Sequence, residues 1–248
     1  MPIEDIYEET RRILASGRER GIILRLLGGM AIRFHCPSAQ TESLSRRYLD
    51  IDMVGHARQV KEIKRLFSDL EYAPRELFNA IHGDRRLIFN DLEHKRRIDV
   101  FLDVFKMCHT FNFKDRLDIE SDTLPLADLV ATKLQVVEMT EREYKDLVCL
   151  LLDHAVGTND EPEIVNGARL AKLASDDWGI YTTFKKTIQS LLNALGDYGL
   201  ASEQHGLVKD RAKQILAMME EAPKSTRWKL RARMGEKVAW YELPEPDA

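Results

Sequence analysis

The hydrophobic pattern of this chain changes period near residue 120, and that change constrains the fold more than any single motif. Before it, short apolar runs alternate with amphipathic segments; after it, the pattern is almost purely helical. Ile3, Ile6, Tyr7, Ile13 and Leu14 recur at helical spacing, and Gly17 and Gly21 close the segment. Residues 22–27 form a short branched apolar run that suits a buried strand. Gly28-Gly29 follows, then a helical turn over 30–34, a polar loop over 37–45, and a second strand over 48–54. Val60, Ile63, Phe67 and Leu70 mark an amphipathic helix. Residues 85–90 and 96–105 read as a hairpin around a polar turn at 91–95. Strands alternating with helices and ending in a hairpin imply a small mixed sheet with helical cover.

Past residue 120, Pro125 fits a helix start, and Leu126, Leu129, Val130, Leu134 and Val137 form one apolar stripe. Thr140 with Glu143 makes a capping-box pattern. Residues 157–162 read as a break, with further helices over 164–174, 178–195 and 207–221 and a last strand over 238–243. The expectation is an α/β (α+β) domain over 1–118, an all-helical domain over 119–222 and a basic tail over 223–248.

Composition narrows the function classes. With 44% hydrophobic residues in 248, the chain can bury a sizeable core and is not intrinsically disordered. A net charge of −4 leaves no global nucleic-acid footprint. The acidic N-terminus does not read as a signal peptide, and no run approaches the roughly 20 apolar residues of a membrane span. Cys36, Cys108 and Cys149, odd in number and far apart, fit a reduced, cytoplasmic chain in which they are packing residues.

The chemistry-bearing constellation is a strand, Gly28-Gly29, and a second strand carrying Asp50-Ile51-Asp52. Side chains two apart on a strand share a face, so Asp50 and Asp52 project together while Leu49, Ile51 and Met53 turn to the core. Paired carboxylates repel each other, and a divalent cation removes that cost. Hard oxygen ligands suit Mg2+ or Mn2+, particularly beside nucleotide phosphates. Glycines let backbone N–H groups approach a phosphate, and a following helix start adds a favourable dipole. Asp99, on the strand over 96–105, supplies a third carboxylate, with Asp103 as its rival on the same face. Three carboxylates around one or two metals suit in-line displacement at phosphorus.

Gly28, Gly29, Asp50, Asp52 and Asp99 together resemble the nucleotidyltransferase superfamily, the DNA polymerase β-like fold. The segment 126–134 with Arg142 and Lys145-Asp146 is similar to the helical part of its AbiEii-type branch, which includes toxins of toxin–antitoxin and phage-defence systems. The resemblance covers roughly residues 22–155. It implies transfer of a nucleoside monophosphate from an NTP substrate to an acceptor such as tRNA, a protein or a small molecule, in a cleft between the two halves. Asp50, Asp52 and Asp99 would hold the metal, Gly28, Gly29 and Arg47 would meet the triphosphate, and Lys133 and Asp146 would complete the site. An antitoxin-type protein partner and an RNA acceptor follow from the same resemblance. The long 30–49 connection departs from the family pattern and leaves the placement of Ser43, Ser45, Arg46 and Arg47 open.

Other readings compete. Lys133 interrupts the apolar stripe and either snorkels to solvent or meets phosphate. By periodicity alone Asp146 points away from the buried face and would pair with Arg142 in solvent; against that, residues 147–152 are apolar all round, as in a helix wedged between neighbours. Asp99 could instead pair with Arg97 or Arg47. The seven histidines show no zinc-type spacing with the cysteines and read as surface or packing residues. Lys224, Arg227, Lys229, Arg231, Arg233 and Lys237, interleaved with Trp228 and Trp240, form a solvated tail or a short RNA-binding patch. A non-catalytic nucleotide-binding protein that kept the fold is the rival from another class.

Overall fold

In the computed structural model, which describes residues 1–243, the chain divides into two compact units. The first comprises residues 1–34, 47–105 and 110–124; the second comprises 35–46, 106–109 and 125 onward.

The first unit opens with α1 (Ile6–Glu19), whose N-cap Asp5 accepts from the backbone N–H groups of Tyr7 and Glu8 at 2.9 Å. It continues with β1 (Leu24–Leu27), α2 (Gly28–His35), β2 (Asp50–Gly55), α3 (Val60–Asp69), β3 (Ala73–Pro74), α4 (Glu76–His82), β4 (Arg86–Asp91) and β5 (Arg96–Leu102). The five strands form one sheet in the order β1-β2-β5-β4-β3, with β2 and β5 parallel and every other pair antiparallel. Two further short strands, β6 (Val104–Lys106) and β7 (Thr110–Asn112), form a separate ribbon. The last residues of α2 and β6 belong to the second unit.

The apolar residues on which the strands and helices were read make the core of this unit. Ile51, Met53, Ile63, Leu66, Phe67, Ile98 and Val100 are fully buried, and Phe67 stacks on Phe89 with centroids 4.3 Å apart. Burial of each such side chain contributes about 1.5–3 kcal/mol. Both sheet edges are guarded. Leu26 on β1 exchanges backbone hydrogen bonds with Asp122 and Leu124, and β3 is two residues long and ends in Pro74. The β4–β5 hairpin turn is held by Asp91, which accepts from the backbone of Glu93 and His94 and from the Arg96 guanidinium.

The second unit is helical: α5 (Leu126–Leu134), α6 (Glu141–Asp153), α7 (Gly167–Asp176), α8 (Trp178–Ala194), α9 (Ser202–Glu221) and α10 (Thr226–Ala232). α7 packs on α8 and α9, and α5 packs on α6. Two short parallel strands, β8 (Ala155–Gly157) and β9 (Ile164–Asn166), flank the break between α6 and α7. Glu143 closes the start of α6 by accepting from the N–H of Thr140 at 3.2 Å.

Three local expectations change, and one helix is an addition. The strand read over 238–243 does not form; residues 226–232 are helical instead, and Trp240 packs edge-on against Trp178 and donates to Thr183. Trp228 likewise packs on Tyr181. The helix read from Ile164 starts at Gly167, because 164–166 pair with β8. A helix, α4, occupies a stretch with no clear periodicity; it is anchored by Asn79, which hydrogen-bonds both backbone groups of Ile88. Leu49 does not enter the core: it precedes β2 and is 52% exposed.

Candidate active site

β2 alternates as its sequence requires. Ile51 and Met53 are buried, while Asp50 and Asp52 stand half-buried on the opposite face. The parallel register places Asp52 directly across from Asp99, and Asp50 across from Arg97. Three carboxylates therefore share one face of two adjacent central strands. Asp103, the rival for the third position, lies one residue beyond β5 with φ +58 and pairs with His56 Nδ1 at 3.0 Å.

Asp99 is fully buried, and two arginines hold it. Arg86 reaches it from β4, with Nη2 2.6 Å from Oδ1, and Arg97 Nε lies 2.7 Å from Oδ2. The pairing of Asp99 with Arg97 read from the sequence is present; Arg86 is an addition that no local pattern announced. Arg86 is itself fixed by the faces of Phe101 and Phe78, 5.0 and 5.7 Å from its guanidinium carbon.

Gly28 builds the other wall. Its φ of +66 suits glycine, and Asp52 Oδ2 lies 2.3 Å from where a Cβ would sit. The turn after β1 is thus in direct contact with the Asp52 carboxylate, which is possible because Leu27 pairs with Asp52 in the antiparallel register. Gly29 follows inside the first turn of α2. Arg47 is exposed, three residues ahead of Asp50.

The carboxylate face passes a simple test of fit to a divalent cation. The donors are hard oxygens, two of them half-buried rather than sealed, and the glycine turn leaves backbone rather than side chain beside Asp52. Three carboxylates against Arg86 and Arg97 leave a formal charge of −3 + 2 = −1 on this face.

In the second unit, Lys133 and Asp146 meet. Lys133 Nζ lies 2.6 Å from Asp146 Oδ2, and Arg46 engages the same carboxylate with Nε at 2.9 Å and Nη2 at 3.0 Å. Asp146 is 2% exposed, which corrects its reading as a solvated partner of Arg142. Lys133, 11% exposed at its side chain, does not snorkel to solvent. Burial alone would raise the Asp146 pKa, but Lys133 and Arg46 outweigh it and hold the carboxyl below the usual carboxylate range. Two cations share one anion, so the cluster carries a formal +1. Arg46 is one of the residues that sequence reasoning left unplaced; it lies 100 positions from Asp146, and no spacing signal could have joined them.

The three cysteines are free and buried, and among the described residues no helix is long and apolar enough to cross a membrane. No family model matches the chain, and no curated protein matches it. Two solved structures are similar in part. One is the lincomycin-bound crystal structure of the lincosamide antibiotic adenylyltransferase LnuA, 14% identical at a TM-score of 0.43, covering 58% of this chain and 94% of that one. The other is the solution structure of the antibiotic-resistance factor ANT(2'')-Ia, 12% identical at a TM-score of 0.36, covering 85% of this chain and 92% of that one.

Proposed function

We propose that this chain is a metal-dependent nucleotidyltransferase that moves a nucleoside monophosphate from an NTP to an acceptor hydroxyl or similar group, releasing pyrophosphate. The observation that carries the reading is the face built by Asp50, Asp52 and Asp99, with Gly28 pressed against Asp52. Asp50 and Asp52 would hold Mg2+ or Mn2+, which when bound neutralises charge on the triphosphate and the attacking oxygen. Asp99, held by its two arginines, would complete the anionic face across the strand pair from Asp52. Gly28 and Gly29 would admit phosphate oxygens to backbone N–H groups, with Arg47 as a further cation for the triphosphate.

Lys133 and Asp146 are assigned to the same reaction, as in the AbiEii-type branch. The support is their mutual contact and the surplus positive charge that Arg46 adds, which suits a polyanionic substrate. The acceptor class is open among tRNA, a protein side chain and a small molecule, and so are a toxin role and an antitoxin-type partner.

A second reading, a nucleotide-binding protein without turnover, is favoured by one feature: both oxygens of Asp99 lie within ion-pair distance of arginines. The test is incubation with each labelled NTP, Mg2+ and a cell extract treated in parallel with ribonuclease or protease. Metal-dependent label transfer lost in Asp52→Asn supports the enzyme. Nucleotide binding without transfer under any of these conditions supports the second reading.

A further inference from the structure

Outside the carboxylate face, the second unit gathers His35, His154 and Glu163, with one donor atom from each within 4.8 Å of the others. We propose that these three side chains form a binding site for a divalent transition metal of the zinc class, separate from the Mg2+ site of the proposed reaction.

The distances suit it. His154 Nδ1 is 3.0 Å from Glu163 Oε2, and His35 Nδ1 is 3.7 Å from Glu163 Oε1. Donors bonded to one tetrahedral zinc at about 2.0–2.1 Å stand about 3.3 Å apart, so small side-chain rotations close the set. His154 is 1% exposed, and its Nδ1 makes no hydrogen bond of good geometry among the described residues, despite the carboxylate beside it. A buried ring nitrogen left in that condition is costly unless something else uses its lone pair.

The other ring nitrogen explains the orientation. His154 Nε2 lies 3.6 Å from Cys36 Sγ, a contact that can hold the imidazole with Nε2 protonated and Nδ1 free to ligate. Asp153, the preceding residue, accepts the N–H and the hydroxyl of Ser38 at one oxygen, Oδ2. Glu163 is exposed, so its carboxylate closes the cluster from the solvent side and leaves a path for the ion. Two imidazoles and one carboxylate select zinc and its neighbours over Mg2+, and three protein ligands leave a fourth position for water or another group.

The rival explanation is a histidine–glutamate contact with no ion. The experiment uses the full, untagged chain carrying Asp52→Asn, so that the result does not depend on the proposed nucleotide site. Co2+ is titrated by visible absorbance, and Zn2+ by competition with a chromophoric chelator. The expected result is one equivalent bound, a tetrahedral Co2+ spectrum and a Zn2+-dependent rise in melting temperature. Glu163→Gln and His35→Asn, both at positions with solvent access, should each weaken Zn2+ on the order of a hundredfold while leaving the circular dichroism unchanged. Absence of saturable binding, or equal affinity in both variants, overturns the proposal. The same holds if Mg2+ competes at equal concentration.

Discussion

Gly28→Ala separates backbone strain from loss of the site, because the chain contains a matched control. Gly21 and Gly28 adopt nearly the same left-handed φ, +67 and +66, but a Cβ on Gly21 would meet nothing within 4 Å. Placing an L side chain in that region costs roughly 1–2 kcal/mol, which for a chain of this length lowers Tm by about 2–8 °C. Both alanine variants should show that loss. In Gly28→Ala the new methyl also meets Asp52 Oδ2 at 2.3 Å, and an ordinary 3.4 Å contact requires 3.4 − 2.3 = 1.1 Å of movement. Displacing a reacting group by about 1 Å can cost on the order of a hundredfold in rate. The expected outcome is turnover near wild type for Gly21→Ala and a drop of about a hundredfold for Gly28→Ala, at matched fractions folded. Thermal melting and labelled-NTP turnover are the two assays. If Gly28→Ala turns over as fast as Gly21→Ala, the Gly28–Asp52 contact has no catalytic meaning and the reading of this face fails.

Asp50→Asn and Asp52→Asn should each abolish NTP turnover at saturating Mg2+ with little change in melting, and full activity in both would refute the metal assignment. Mg2+ with the correct NTP should raise Tm by a few degrees, corresponding to about 1–3 kcal/mol, whereas Mg2+ alone should do little; no shift with any of the four nucleotides would argue against a nucleotide site. Lys133→Met should cost about 1–3 kcal/mol of stability, because it takes one of two cations from buried Asp146, and should also slow turnover tenfold to a hundredfold; unchanged turnover in the folded variant would remove Lys133 from the reaction. The pH dependence has a definite sign. Asp146 has a depressed folded pKa, so its contribution is present above the unfolded carboxylate value of about 4 and is lost as pH falls through the folded value. Urea melts of wild type and Asp146→Asn should therefore differ most near neutral pH and converge in acid, and parallel profiles would count against the ion cluster.

The residues of β2 announced their own arrangement. Alternation of Asp50, Ile51, Asp52 and Met53 is a property of any strand with one buried face, so the two carboxylates could be placed side by side without knowing what lay next to them. The same holds for α3, whose Ile63 and Phe67 repeat at helical spacing, and for the hairpin turn at Asp91, where the polar residues make their own local hydrogen bonds. Leu49 escaped that logic because alternation says nothing about where a strand begins.

What the tertiary structure decided was everything that depends on partners distant in the chain. Whether Asp99 stood across from Asp52 was a matter of parallel register, which a shift of one residue would have reversed. Arg86 reached Asp99 only because β4 pairs with β5 on the side away from β2. Periodicity alone set Asp146 on the solvent side because it locates one buried face, whereas α6 is buried on several sides and receives Arg46 from a segment 100 residues earlier. The gathering of His35, His154 and Glu163 had no sequence signal at all. Their spacings match no local motif, and it is the fold of the second unit, by returning the 35–46 segment to the end of α6 and the start of β9, that sets three donor atoms within reach of one ion.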